Sequence, residues 1–144
     1  MNNPEYISKQ EVQRVCQELG IRDWSQLDKV QVTEEEARII QGAVGGEAEQ
    51  ITILEFQKGL EVELEHGTQF PDANVTNNHP LLTGMIVLAH LKEMLDYYTR
   101  LEVAELEGDL LKAYRAGNPD KLFQKYSKLL TAKKTLSNAE SEKE

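Results

Sequence analysis

Apolar residues recur at helical spacing along most of the chain, and the strongest such stretch runs from Pro80 to Leu101. On a helical wheel its apolar side chains share one wide arc, while Lys92 and Asp96 lie opposite. The arc consists of Val87, Leu88, Leu91, Met94, Leu95, Tyr98 and Leu101. This pattern predicts a core helix, and the spacing of later leucines favours its continuation toward Tyr114.

Residues that favour helix ends bound the first predicted helices. Ser8 is followed three residues later by Glu11, as in a capping box, and Gly20 ends the run, so a helix is predicted over residues 9–19. Thr33 precedes three glutamates, which predicts a second helix over residues 34–43.

Two later helices are predicted in the same way. A helical pattern resumes at residue 47, and Gly67 is expected to end it. Asn118 and Pro119 are expected to begin the last helix. The apolar stripe of that helix is Leu122, Phe123, Tyr126, Leu129 and Leu130.

No segment alternates apolar and polar residues long enough to predict a strand. The sequence therefore predicts an all-α fold, an irregular bundle of four to six helices in a single domain over residues 1–144. The predicted parts are N-terminal helices (9–45), core helices (47–117), a basic C-terminal helix (118–136) and a disordered tail (137–144).

Charge and cysteine content restrict the class of protein. The formal net charge is -9, which disfavours nucleic-acid binding because most of the surface would repel phosphates. Residues 118–136 carry five bases and one acid, and we expect this helix to fold back onto acidic residues. The only cysteine, Cys16, lies among apolar residues and suits a reducing compartment. We expect a soluble, cytoplasmic protein without membrane insertion.

Two motifs resemble a family of bacterial and phage proteins known only as a domain of unknown function. They are GLEVELEHG at residues 59–67 and AHLKEMLDYYTRLE at residues 89–102, in that order. The resemblance covers about residues 11–107, with residues 31–50 as an insertion. Because that family has no assigned activity, the resemblance implies a shared small domain and no function.

Four side chains could form a metal site between two helices. Glu63 and His66 are three residues apart, as are His90 and Glu93, so each pair projects from one side of its helix. If these two sides pack together, the four ligands suit iron, manganese or zinc. The order His90 then Glu93 is the reverse of the Glu-x-x-His motif of di-iron bundles, which disfavours an oxygen-activating centre.

A structural explanation of the same residues stands beside the metal site. His90 could be a core histidine hydrogen-bonded to Glu63 or Tyr97, and His66 a cation favoured at a helix C-terminus. His79, next to Pro80, suits the start of a helix better than a third imidazole ligand.

No catalytic residue is assigned, because the sequence contains neither a nucleophile elbow nor a phosphate-binding glycine loop. Two functions from different classes follow from the sequence. One is a protein that binds a transition metal through Glu63, His66, His90 and Glu93. The other is a non-catalytic accessory protein that docks on a larger assembly or self-associates through its helices.

Overall fold

The computed structural model describes residues 6–142, and within this range the chain is all-α, with no strand, as the sequence predicts. Its six α-helices are α1 (Lys9–Leu19), α2 (Glu34–Val44), α3 (Ile53–Gln69), α4 (Pro80–Glu93), α5 (Tyr97–Arg115) and α6 (Pro119–Ser141). Short 3₁₀ turns lie at Trp24–Gln26, Gly46–Gln50 and Pro71–Ala73. Among the helices of this range, none is both long and apolar enough to cross a lipid bilayer.

The helices fall into two compact units, residues 1–92 and residues 93–144. The first contains α1 to α3 and nearly all of α4, and the second contains α5 and α6. The single domain predicted over residues 1–144 stays a prediction, because two compact units can still unfold in one cooperative transition.

The first unit has a dense apolar core. Its largest fully buried side chains include Trp24, Phe56, Ile40 and Leu60. Burial of the only tryptophan agrees with the expectation from its large apolar surface. Cys16 is also buried, and desolvation raises the pKa of its thiol, so the thiol is protonated and unreactive at neutral pH.

The predicted caps are present at the starts of α1, α2 and α6. The hydroxyl of Ser8 accepts a hydrogen bond from the backbone N–H of Glu11 at 3.1 Å. Thr33 and Glu36 form a reciprocal capping box, and Asn118 accepts from the N–H of Lys121 at 3.1 Å. Gly20 ends α1 in the left-handed conformation, with φ of 68°. Contacts between residues that are close in the sequence therefore account for these helix ends.

Helix α3 differs from the prediction at both ends. It begins at Ile53, after Thr52, and residues 46–50 form a 3₁₀ turn instead of its first turns. At the other end, α3 continues through Gly67 to Gln69. A β-carbon at Gly67 would lie 2.7 Å from Oδ1 of Asn78, so the glycine permits close packing of a loop and does not end the helix.

The long helix predicted from Pro80 is interrupted. Helix α4 ends at Glu93 and α5 begins at Tyr97, although the apolar arc continues through Met94 and Leu95. These two side chains are 44% and 60% exposed. The arginine at position 100 pairs with the residue before α5, with Nη2 of Arg100 2.7 Å from Oδ2 of Asp96, as an i, i+4 ion pair across the first turn of the new helix.

Helix α6 extends to Ser141, whereas the sequence predicted a helix end near 136 and a disordered tail over 137–144. The guanidinium of Arg100 on α5 donates to Glu140 in the last turn of α6 at 3.0 Å, so this turn contacts the neighbouring helix. Residues 143 and 144 of the predicted tail lie outside the described residues.

Candidate functional site

Two of the four predicted metal ligands come together in the first unit. The ring Nδ1 of His90 on α4 donates to the Glu63 carboxylate on α3 at 2.9 Å. Both side chains are partly buried, with 31% and 18% of their surfaces exposed. The hydrogen bond is the one that the structural explanation of His90 expects, so the pair joins α3 to α4 whether or not a metal binds there.

The other two predicted ligands are exposed. His66 lies in the last turn of α3, where a basic side chain complements the negative end of the helix dipole. Glu93 is the last residue of α4 and the first of the second compact unit. Among residues 6–142, no group of three or more His, Cys, Asp or Glu side chains is arranged to hold a metal ion. The metal site stays a prediction.

His79 acts at a helix start, as the sequence suggests. Its buried ring accepts a hydrogen bond from the backbone N–H of Leu82 through Nδ1, at 3.4 Å, and its carbonyl accepts from the hydroxyl of Thr83 at 2.8 Å. Burial is the largest effect on this imidazole and lowers its pKa, which favours the neutral ring that can accept a hydrogen bond.

The second unit is an antiparallel helical hairpin with a small core of its own. Leu106 on α5 and Leu129 and Ala132 on α6 are buried together, and Val103 and Leu110 pack against them. An ion pair joins the same two helices, with Nζ of Lys125 2.8 Å from a carboxylate oxygen of Asp109. The basic helix thus folds back onto an acidic residue, as expected from its charge.

One side of this hairpin is apolar and exposed. Phe123, Tyr114 and Tyr126 have 78%, 72% and 52% of their surfaces exposed, and Leu130 has 52%. A groove of about 320 Å³ opens between the helices here, lined by Leu110, Pro119, Leu122, Phe123 and Tyr126. We call these residues, with Tyr114 and Leu130, the hairpin face.

The opposite side of the hairpin has a different character. A cleft of about 510 Å³ there is lined largely by charged and hydroxyl side chains. Glu102, Glu105, Asp109, Lys125 and Lys128 are among them. The hairpin thus has an apolar groove on the hairpin face and a separate cleft lined mainly by polar side chains.

The helical periodicity of the sequence marks several residues of the hairpin face as part of an apolar stripe, but it does not predict that they are exposed. The predicted apolar stripe of the last helix consists of Leu122, Phe123, Tyr126, Leu129 and Leu130. Of these five, only Leu129 is buried. The stripe has the width that is ordinary for a helix facing a core, so the sequence contains no signal for the exposure of these residues.

These features define a small all-α protein with a helical hairpin that presents an apolar surface. The chain belongs to a family described as "Protein of unknown function (DUF5661)", whose model matches residues 12–107. This agrees with the resemblance found from the two sequence motifs. Neither curated proteins nor solved structures give a significant match to the chain.

Proposed function

We propose that this protein is a non-catalytic accessory protein that binds a protein partner through the hairpin face. The observation that carries the proposal is the exposure of three aromatic side chains beside one apolar groove. Phe123 has 78% of its surface in water, so covering its side chain with a partner makes a favourable contribution to the free energy of binding.

The size of the hairpin face supports an interface. A fully exposed aromatic side chain offers roughly 200 Å², so the exposed fractions of Tyr114, Phe123 and Tyr126 amount to about 400 Å². Leu130 and the groove residues bring the total to roughly 500 Å². Contiguous apolar patches of this size on soluble proteins often mark binding sites.

The composition also suits an interface better than a simple folding core. Tyrosine and phenylalanine are enriched at the centres of protein interfaces, where they fill pockets on the partner. Lys133 and Lys134 follow the apolar stripe on α6 and are exposed, as in the polar rim of an interface. The buried thiol of Cys16 favours a partner in a reducing compartment, the cytoplasm.

Site-specific photo-cross-linking in cells of the source organism tests the proposal. A photoreactive phenylalanine analogue replaces Phe123 in one version of the full chain and Gln124 in a control. Gln124 is exposed on the same helix but points away from the hairpin face. We expect a defined protein adduct from position 123 and little from position 124. Equal yields at the two positions, or none at either, would refute the proposal.

Metal binding is the second candidate, and the 2.9 Å contact between Glu63 and His90 supports it. An imidazole and a carboxylate from neighbouring helices are ligands that iron, manganese and zinc accept. The proposal keeps His66 and Glu93 as the further ligands predicted from the sequence. The test is the metal content of purified protein by mass spectrometry: near-stoichiometric metal that His90→Ala removes supports it, and trace metal in both versions rejects it.

A further inference from the structure

The hairpin leaves apolar side chains uncovered on both of its helices. On α6, Phe123 and Leu130 are seven residues apart with Tyr126 between them, so all three lie on one side of the helix. On α5, Tyr114 is 72% exposed and follows Leu110, which packs against the hairpin core, by four residues. In a four-helix bundle each helix packs against more than one neighbour, which would cover side chains in these positions.

We propose that a second copy of this chain covers the hairpin face, so that two hairpins form a four-helix bundle about a twofold axis. This inference rests on the proposed function, because it names the partner of the same surface. In a twofold dimer both copies use the same patch, and the contact closes without leaving a surface for further growth.

The available area is sufficient for such a dimer. Two copies of a patch of roughly 500 Å² bury about 1,000 Å², which is the lower limit for a specific interface. A single partner helix laid in the groove would leave Tyr114, outside the groove lining, largely uncovered. A contact at this limit predicts reversible association that depends on protein concentration.

The charge distribution also favours contact between hairpins. Residues 93–144 contain ten acidic and nine basic residues, so two hairpins meet with little net repulsion. Residues 1–92 contain 15 acidic and seven basic residues, so two first units repel each other. Self-association through the second unit therefore costs less electrostatic free energy than self-association through the first.

Light scattering coupled to size exclusion, with the full chain over a range of concentrations, tests this inference. We expect the average mass to rise from 16.4 kDa toward twice that value as concentration increases. Phe123→Glu should weaken dimerisation at least about tenfold, because each interface contains the substitution twice. Gln124→Glu adds the same charge on the neighbouring residue, away from the hairpin face, and should leave the dissociation constant unchanged.

Circular dichroism of each variant shows whether its helices are intact, and Tyr126→Ser serves in place of Phe123→Glu if that variant unfolds. A chain that stays at 16.4 kDa at every concentration overturns the inference, and so does a dimer that these substitutions leave intact. An adduct of position 123 with a different protein, found together with a monomeric chain, refutes the dimer and leaves the proposed function standing. Absence of any adduct refutes both.

Discussion

The buried carboxylate of Glu36 gives the sharpest test of how the first unit is held together. Only 5% of this residue is exposed, and its two oxygens accept from Arg22 at 2.8 and 2.7 Å. One oxygen also accepts from the backbone N–H of Thr33 at 3.0 Å, which closes the capping box of α2. Glu36→Gln keeps the shape and removes the charge, so it leaves the guanidinium of Arg22 without its counter-ion.

The expected cost follows from the proton affinity of the carboxylate. Burial alone would raise the pKa of Glu36. The hydrogen bonds to Arg22 and Thr33 outweigh burial and lower this pKa from 4.5 to about 2. At 1.36 kcal/mol per pKa unit, this preference for the charged form amounts to about 3 kcal/mol of folding stability at neutral pH. The value lies at the lower end of what breaking a buried ion pair costs, as expected when Arg22 is about half exposed.

The same linkage predicts how the cost depends on pH. A carboxylate whose pKa is lowered by folding stabilises the native state fully above the unfolded value near 4.5. This stabilisation is lost as the pH falls toward the folded value of about 2. The stabilities of wild type and Glu36→Gln should therefore differ most at neutral pH and converge between pH 4.5 and pH 2.

Urea unfolding followed by tryptophan fluorescence measures the effect directly, because Trp24 is the only tryptophan and its Nε1 lies 3.5 Å from Glu36. Glu34→Gln is the matched control: it makes the same change two residues earlier on α2, where Glu34 pairs with Arg38 at the surface. That control should cost less than about 1 kcal/mol. Equal costs for the two variants, or a Glu36→Gln deficit that does not shrink in acid, would contradict the reasoning.

Two further predictions concern the first unit. Gly84→Ala should destabilise the protein by about 1–3 kcal/mol despite the better helix propensity of alanine, because the new β-carbon would lie 2.9 Å from Val44 and 3.0 Å from Ile40. The control is Gly42→Ala, whose β-carbon meets nothing within 4 Å and which should stabilise the protein by up to about 1 kcal/mol. Thermal melts of the two variants distinguish these outcomes. Acidification from pH 7.5 to 5.5 should destabilise the wild type more than the His79→Gln variant. Burial lowers the pKa of His79 below its usual 6.5, so the native state binds fewer protons than the unfolded chain in this range. Identical pH profiles of stability from calorimetry would disprove this role.

Local signals predicted much of the fold because the groups that decide them are neighbours in the sequence. A hydroxyl or amide at Ser8, Thr33 or Asn118 reaches a backbone N–H only three residues away, and Gly20 adopts its positive φ without help from other elements. These positions bound helices α1, α2 and α6 correctly at the ends where they occur. The all-α class follows from the same local patterns.

Features that depend on distant residues were missed. Gly67 resembles a helix end until Asn78, eleven residues later, is found beside it. The helix break before Tyr97 interrupts an unbroken apolar arc, and the last turn of α6 contacts Arg100 of α5, forty residues earlier in the chain. Periodicity marks apolar sides of helices, but it contains no information about which elements lie across from them.

The candidate site shows the same limit. The spacing of Glu63, His66, His90 and Glu93 predicts that each pair lies on one side of its helix. The structure brings Glu63 and His90 into contact, while His66 and Glu93 are exposed. An apolar stripe looks the same whether it is covered by its own chain or by another, so the stripe predicted for α6 does not distinguish core residues from residues of the hairpin face. Only the exposed fractions of Phe123, Tyr126 and Leu130 separate the two cases.

The central claim is that the hairpin face is a docking surface, and the yield of photo-adducts along α6 tests it most directly. The account predicts that a photoreactive side chain at position 123 gives at least about ten times more adduct than one at position 124, since only the first points into a partner's contact surface. Comparable yields from the two neighbouring positions would show that the exposed aromatic side chains face solvent in the cell, and would contradict the account.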